Sequence, residues 1–247
     1  MVLDLSRPLS WRSAIDTVEM LDNLQAGIVA PHARSHLRVL AVRFADALSA
    51  RTFLAALVEE GLVKSERVHL AEREAYEAAQ VPGSPQVTVG LTHAGYRLLT
   101  PWPAPDDPLF ATGVRGGIDA HVIVTVADTV EAPVLARLAR VQALLPRSAS
   151  VGPAEAAGPR DVPDGVRTHP DDGGPLAELL VPEPGAAADD NRFGSYAVYR
   201  RLGRPGGTDV LAVAVGAAVE EPPLPPGWTV RAGAYLFLPS LPFLRSL

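Results

Sequence analysis

Short apolar segments of strand type alternate with segments of helical periodicity, and this alternation constrains the fold more than any other feature of the chain. Residues 37–44 (LRVLAVRF) are apolar on both alternating faces except at two arginines, which predicts a strand covered on most of its surface. Ser49 can cap a following helix that ends at Gly61. The apolar positions of that helix are Phe53, Leu54, Leu57 and Val58.

Two further strands are predicted in the first part of the chain. They lie at residues 67–70 and 87–91, separated by the polar, alanine-rich residues 71–80. Thr92 follows the second strand and is a suitable cap for a helix over residues 93–99.

A second round of strands and helices begins at residue 118. Val122, Val124 and Val126 share one face of a predicted strand, and a helix with an apolar stripe follows over residues 134–145. Later strands are predicted at residues 177–181, 193–200, 210–215 and 234–238. The pattern predicts an α+β fold of two ferredoxin-like modules, related to dimeric α/β barrels.

The predicted modules meet between residues 116 and 117. The first module, 1–116, includes an N-terminal arm, and the second, 117–247, contains a long loop rich in proline and glycine at residues 146–176. A connection of that length without apolar periodicity is either disordered or functional.

Charge and composition exclude several classes of partner. The chain has 22 Lys and Arg against 28 Asp and Glu, a net charge of −6, which disfavours nucleic acid and anionic lipid as partners. It contains no cysteine, so thiolate metal sites and cysteine nucleophiles are excluded. No signal peptide or membrane span is predicted, and we expect a cytoplasmic protein.

Six segments in order resemble the dye-decolourising (DyP-type) haem peroxidases. Residues 21–44 are similar to the start of that family, where an Asn-x-Gln-Gly turn feeds the first strand, and residues 161–170 (DVPDGVRTHP) to its Gly-x-x-Asp-Gly loop. Residues 193–202 (FGSYAVYRRL) resemble its Asn-Gly-Ser-Tyr strand. The other matches are residues 87–99, 117–128 and 233–247.

The resemblance implies two ferredoxin-like modules with haem in the second, ligated by a late histidine. An aspartate of the Gly-x-x-Asp-Gly loop, here Asp164, would act on peroxide. This chain departs from the family after residue 202, because the long helical stretch that carries the iron-ligating histidine is absent and no histidine follows His169. Since haem iron needs an axial ligand, we expect no cofactor, with haem as the alternative.

Five residues are the candidate site residues, and no metal site is predicted. Asp164 and His121 are the catalytic candidates, because a carboxylate or an imidazole can transfer protons near neutral pH. Arg200, Tyr196 and His169 are the candidates for substrate binding, since an arginine can hold a carboxylate through two hydrogen bonds.

Three hypotheses for the function remain open at this stage, and the sequence leaves open whether the chain is an enzyme. The first is a DyP-like protein that has lost haem and binds or transforms a small organic molecule without it. The second is a working haem peroxidase with an unusual iron ligand such as His121. The third is a noncatalytic assembly or partner-binding protein, a homo-oligomer formed through the apolar C-terminal tail, residues 242–247.

Overall fold

The computed structural model describes residues 4–6, 18–30, 34–114, 116–152, 155–157, 175–187, 190–203, 210–217, 224 and 226–247. The α-helices in these ranges are α1 (Val18–Asn23), α2 (Ala47–Glu59), α3 (Glu66–Ala79), α4 (His93–Leu99), α5 (Pro108–Thr112), α6 (Glu131–Ala143) and α7 (Leu241–Ser246). The strands are β1 (His36–Arg43), β2 (Gln86–Leu91), β3 (Val122–Asp128), β4 (Ser150–Val151), β5 (Glu155–Ala157), β6 (Val181–Pro182), β7 (Phe193–Gly203), β8 (Val210–Gly216) and β9 (Thr229–Leu238).

The N-terminal half of the sheet has the strand order of a ferredoxin-like module. Its strands lie in the order β4-β1-β3-β2, and every pair is antiparallel. Helix α2 connects β1 towards β2, and α6 connects β3 to β4. This arrangement confirms the predicted α+β class and the ferredoxin-like fold.

Strand pairing crosses the predicted boundary between residues 116 and 117. Strand β3 follows this boundary in sequence, yet it lies between β1 and β2, which precede it. The unit with ferredoxin-like strand order therefore runs from β1 to β4. The division into 1–116 and 117–247 stays a prediction, but the hydrogen bonding of the sheet does not separate at that point.

The C-terminal half of the sheet is built around the long strand β7. Strands β8 and β9 pair antiparallel with it along most of its length, and the short β6 pairs with its first residues. Strand β9 joins the N-terminal half through one registered pair with β2, Leu91 with Phe237. The two halves thus form a single path of strands, β4-β1-β3-β2-β9-β7-β6.

Side chains of the sheet alternate between two apolar cores, as the sequence predicts. Val122, Val124 and Val126 lie in one core together with α2, α4, α6 and α7. Ile123 points into the other core, which packs against α1 and the chain that follows it. Burial on both faces explains why these strands are apolar at nearly every position.

Three local predictions are wrong. The strand predicted at residues 177–181 is replaced by a 3-10 helix at Leu176–Glu178, followed by the two-residue strand β6. Residues 67–70 belong to helix α3, which begins after Ser65 and continues through the alanine- and glutamate-rich residues that we placed between strands. Helix α2 begins earlier than Ser49, because the Asp46 carboxylate accepts the Ser49 backbone N–H at 2.7 Å and is the cap. The predicted cap of α4 is confirmed, since the Thr92 hydroxyl accepts from Gly95 N at 3.0 Å.

Gln25 fills the gap between β2 and β9. Its side chain is fully buried, and its Nε2 donates to Val89 O at 3.0 Å and to Pro239 O at 2.7 Å. Its Oε1 accepts from Val89 N at 2.8 Å. The amide therefore bonds both backbone groups of Val89, as a residue of a neighbouring strand would.

The chain after Gln25 is held by a buried carboxylate. Glu66 has no exposed surface, and its oxygens accept from the backbone N–H groups of Ile28, Val29 and Ala30 at 3.0, 3.3 and 3.2 Å. Burial raises the pKa of Glu66 to about 7, although these hydrogen bonds act in the opposite direction. The carboxylate fixes the turn between α1 and β1.

The C-terminal tail packs on this chain. Helix α7 begins at Ser240, whose hydroxyl accepts from Phe243 N at 3.1 Å, and Leu241, Phe243 and Leu244 are buried in the core that contains α2. Burial of each such side chain contributes about 1.5–3 kcal/mol. A homo-oligomer through the tail stays a prediction, but these three side chains are already covered.

Within the described ranges, every helix is too short or too polar to cross a membrane. A cytoplasmic location stays a prediction.

Replacing Gln25 with alanine should lower the free energy of unfolding by about 3 kcal/mol, because three buried backbone groups lose their partner. Urea denaturation of Gln25→Ala measures the change. Gln142→Ala is the control, since Gln142 is exposed on α6 and the substitution leaves no buried group unpaired. Equal stability of the two variants would contradict the role given to Gln25.

Candidate functional site

A cavity of about 410 Å³ lies beside the first residues of β7. Four stretches of chain form it: the residues before α5, strand β6 with the turn after it, the face of β7 that carries Tyr196, and Ala217 just after β8. Its lining residues are Pro103, Ala104, Pro105, Asp106, Asp107, Val181, Pro182, Pro184, Gly185, Tyr196 and Ala217. The volume falls within the range of sites that bind small molecules.

Asp107 is positioned by the start of helix α5. Its Oδ1 accepts from Phe110 N at 2.9 Å, which makes it the N-cap, and Pro108 occupies the first helical position. Its Oδ2 accepts the hydroxyl proton of Tyr235 at 3.2 Å. The carboxylate is thus fixed from two sides while it lines the cavity.

Tyr196 lies at the inner end of the cavity and is 4% exposed. Its ring packs against those of Tyr235, Phe110 and Phe237, with centroids 5.3, 5.9 and 5.9 Å away. Burial raises its pKa above the usual value for tyrosine, and the neighbouring carboxylates of Asp107 and Asp106 raise it further. The hydroxyl therefore stays protonated at neutral pH.

Glu183 fixes the turn that forms the opposite wall. Its Oε1 accepts from Ser240 N at 3.0 Å, and its Oε2 accepts from the Ser240 hydroxyl and from Arg192 at 2.9 and 2.8 Å. Burial raises the pKa of Glu183, and the bonds with Ser240 and Arg192 offset part of this shift. The Glu183 carboxylate thus links the turn after β6 to Arg192, which precedes β7, and to Ser240 at the start of α7.

His121 lies at the start of β3 and is not among the cavity-lining residues. Its Nδ1 accepts from Phe44 N at 3.1 Å. Burial and the positive charge of Arg43 lower its pKa, whereas Asp119 raises it. A neutral imidazole that accepts at Nδ1 carries its proton on Nε2, so His121 is a hydrogen-bond donor there.

Arg200, the other described candidate, is not at the cavity. It lies four residues after Tyr196 on β7 and is 2% exposed, but it does not line the cavity. Strand β7 continues to Gly203, so Arg200 is inside the strand rather than at its end. Asp164 and His169 lie outside the described residues. Among the three candidates that the structure describes, Tyr196 lines the cavity, whereas His121 and Arg200 do not.

The sequence analysis missed Asp106, Asp107 and Glu183. The Asp-Pro dipeptide at 107–108 was a usable signal, because aspartate followed by proline is typical of a helix start. Nothing local marks Glu183, whose partners are 9 and 57 residues away in sequence.

Comparisons with known proteins place the chain among dye peroxidases. The multifunctional dye peroxidase DyP2 of an Amycolatopsis species is 35% identical over 251 residues, covering 82% of this chain and 53% of that protein. This chain thus spans about half the length of the curated relative it matches. No family model matches it.

Solved structures agree on the fold. A structure of Amycolatopsis DyP2 superposes with a TM-score of 0.78 at 23% identity, covering 99% of this chain and 100% of that chain. The DyP-type peroxidase of an Anabaena species has a TM-score of 0.65 at 20% identity, covering 76% and 52%. A dye-decolourising peroxidase of Bacteroides thetaiotaomicron has a TM-score of 0.61 at 10% identity, covering 91% and 98%.

These comparisons contradict the prediction that no cofactor is used. The relatives are DyP-type peroxidases, a family of haem enzymes, and nothing in the comparisons indicates loss of haem. The prediction rested on the absence of a histidine after His169. That argument fails because an axial ligand is defined by its position in space around the iron, and several residue types can serve.

The described cavity itself does not fit haem. Tyr196 is its one lining residue of an iron-ligating type, and ligation requires a phenolate, whereas burial and two carboxylates keep the Tyr196 hydroxyl protonated. His121 does not fit either, since its Nε2 carries the proton when Nδ1 accepts from Phe44. We therefore do not assign this cavity to haem and derive no reaction step through it.

Replacing Glu183 with alanine should cost about 3 kcal/mol of unfolding free energy, because Arg192 and the start of α7 lose a buried charged partner. Urea denaturation followed by circular dichroism measures this. The control is Glu178→Ala, which removes an exposed carboxylate from the same stretch of chain. A Glu183→Ala variant as stable as the control would show that the carboxylate does not hold α7.

Proposed function

The chain belongs to the dye-decolourising peroxidase superfamily, and from this premise we propose that it catalyses peroxide-dependent oxidation of dye-type aromatic compounds with haem as cofactor. The observation that carries the proposal is the 35% identity with a multifunctional dye peroxidase over 82% of the chain. The fold likeness supports it, because the chain superposes on a DyP2 structure over nearly its whole length.

Asp164 is the residue that we propose handles the peroxide proton. It occupies the aspartate position of the segment that matches the family's Gly-x-x-Asp-Gly loop, with Gly165 after it. With haem supplying the oxidation chemistry, a carboxylate near the peroxide would serve as a general base and then as a general acid for its proton. His169, five residues later, is proposed to contact substrate from the same segment.

The Asp164 assignment predicts a large loss of activity without loss of cofactor. In protein supplied with haem, Asp164→Asn should lower kcat/KM for decolourisation of an anthraquinone dye by about 100-fold, since an amide cannot accept the proton. The measurement is the initial rate of dye bleaching with hydrogen peroxide, taken across pH.

Asp172→Asn is the matched control, because it removes the same charge from the same segment without touching the motif. Its rate should equal that of the unsubstituted chain. Bleaching no faster than with free haem would refute the proposed function, and equal rates for the two variants would refute the role of Asp164.

A further inference from the structure

We propose that the cavity beside Tyr196 binds an organic cation, namely a primary ammonium group carried on a short arm by an aromatic ring. This site is separate from the peroxidase proposal and does not rest on it. Three features carry the inference: the charge of the lining, the hydroxyl of a largely buried tyrosine that has no partner among the described residues, and rigid apolar walls.

The described lining residues include two carboxylates and no arginine, lysine or histidine. Asp106 lines the cavity, is exposed, and makes no hydrogen bond or ion pair with any described residue, so its charge is not neutralised by a described partner. Asp107 uses each oxygen once, for Phe110 N and for the Tyr235 hydroxyl. A carboxylate has about four acceptor positions, so Asp107 can still accept an ammonium N–H.

The Tyr196 hydroxyl is the second feature. The side chain is more than nine-tenths buried, lines the cavity, and has no hydrogen-bond partner among the described residues. The hydroxyl is therefore free to bond a ligand in the cavity. Its oxygen can accept from an ammonium group while its proton turns toward a neighbouring carboxylate.

The walls suit a flat ring. Four prolines line the cavity, and their fixed rings give rigid apolar surfaces with little entropy to lose on binding. Gly185 has a φ of 81°, and a Cβ there would lie 2.7 Å from the Trp102 ring, so the indole directly supports this wall. The lining prolines are Pro103, Pro105, Pro182 and Pro184.

Phenethylamine is the probe that matches this description, and 3-phenylpropionate is its counterpart of opposite charge. Calorimetric titration of the chain, without haem or peroxide, should give one saturable site for phenethylamine that weakens as salt is added. Binding of 3-phenylpropionate should be at least tenfold weaker, because its carboxylate would face those of Asp106 and Asp107.

Two variants test the assigned contacts. Tyr196→Phe keeps the ring and removes the hydroxyl, and Asp106→Asn keeps the shape and removes a charge without disturbing the cap of α5. Each substitution should raise the Kd for phenethylamine about fivefold. A change of this size is expected from the loss of one hydrogen bond or one partly exposed charge pair. Thermal unfolding checks that both variants remain folded.

The matched controls are Tyr76→Phe and Glu59→Gln, which make the same chemical changes at exposed positions outside the cavity lining. Their affinities should equal that of the unsubstituted chain. The proposal is overturned if phenethylamine does not saturate, if both probes bind equally, or if the cavity variants bind as tightly as the controls. None of these outcomes depends on peroxidase activity, so the two proposals fail separately.

Discussion

The sheet depends on one glutamine side chain at the place where its two halves meet. Strands β2 and β9 are registered only at Leu91 and Phe237, so the backbone groups of Val89 would otherwise be buried without partners. Gln25 supplies both partners and also bonds Pro239, just after β9. A buried backbone group without a hydrogen-bond partner lowers the stability of the fold. The Gln25 amide therefore stabilises the sheet at the place where β2 and β9 diverge.

The cavity residues pack against β9, the strand that meets β2 at this junction. Strand β9 carries Tyr235 and Phe237, whose rings pack against Tyr196. Tyr235 also donates its hydroxyl proton to Asp107.

Much of the fold could be predicted from the sequence because each strand carries its own signal. The valines of β3 alternate faces, and Thr92 precedes a helical stripe. The pairing of β3 between β1 and β2 could not be predicted, since strand order depends on long-range contacts that no local pattern records. Residues 67–70 were assigned to a strand because four residues are too few to distinguish the helical period of hydrophobic residues from the strand period.

The candidate site was predictable only in part. Tyr196 was identified from its motif, whereas Asp107 and Glu183 contribute through contacts across 128 and 57 residues. The prediction that the chain uses no cofactor failed for a related reason. The absence of a histidine after His169 was taken to mean that no residue could ligate the iron. The central proposal is that this chain binds haem, as its dye-peroxidase relatives do. Titration of the purified chain with haem, followed by Soret absorbance, tests it most directly. The account predicts a saturable shift with one haem per chain, and the absence of saturation would contradict it.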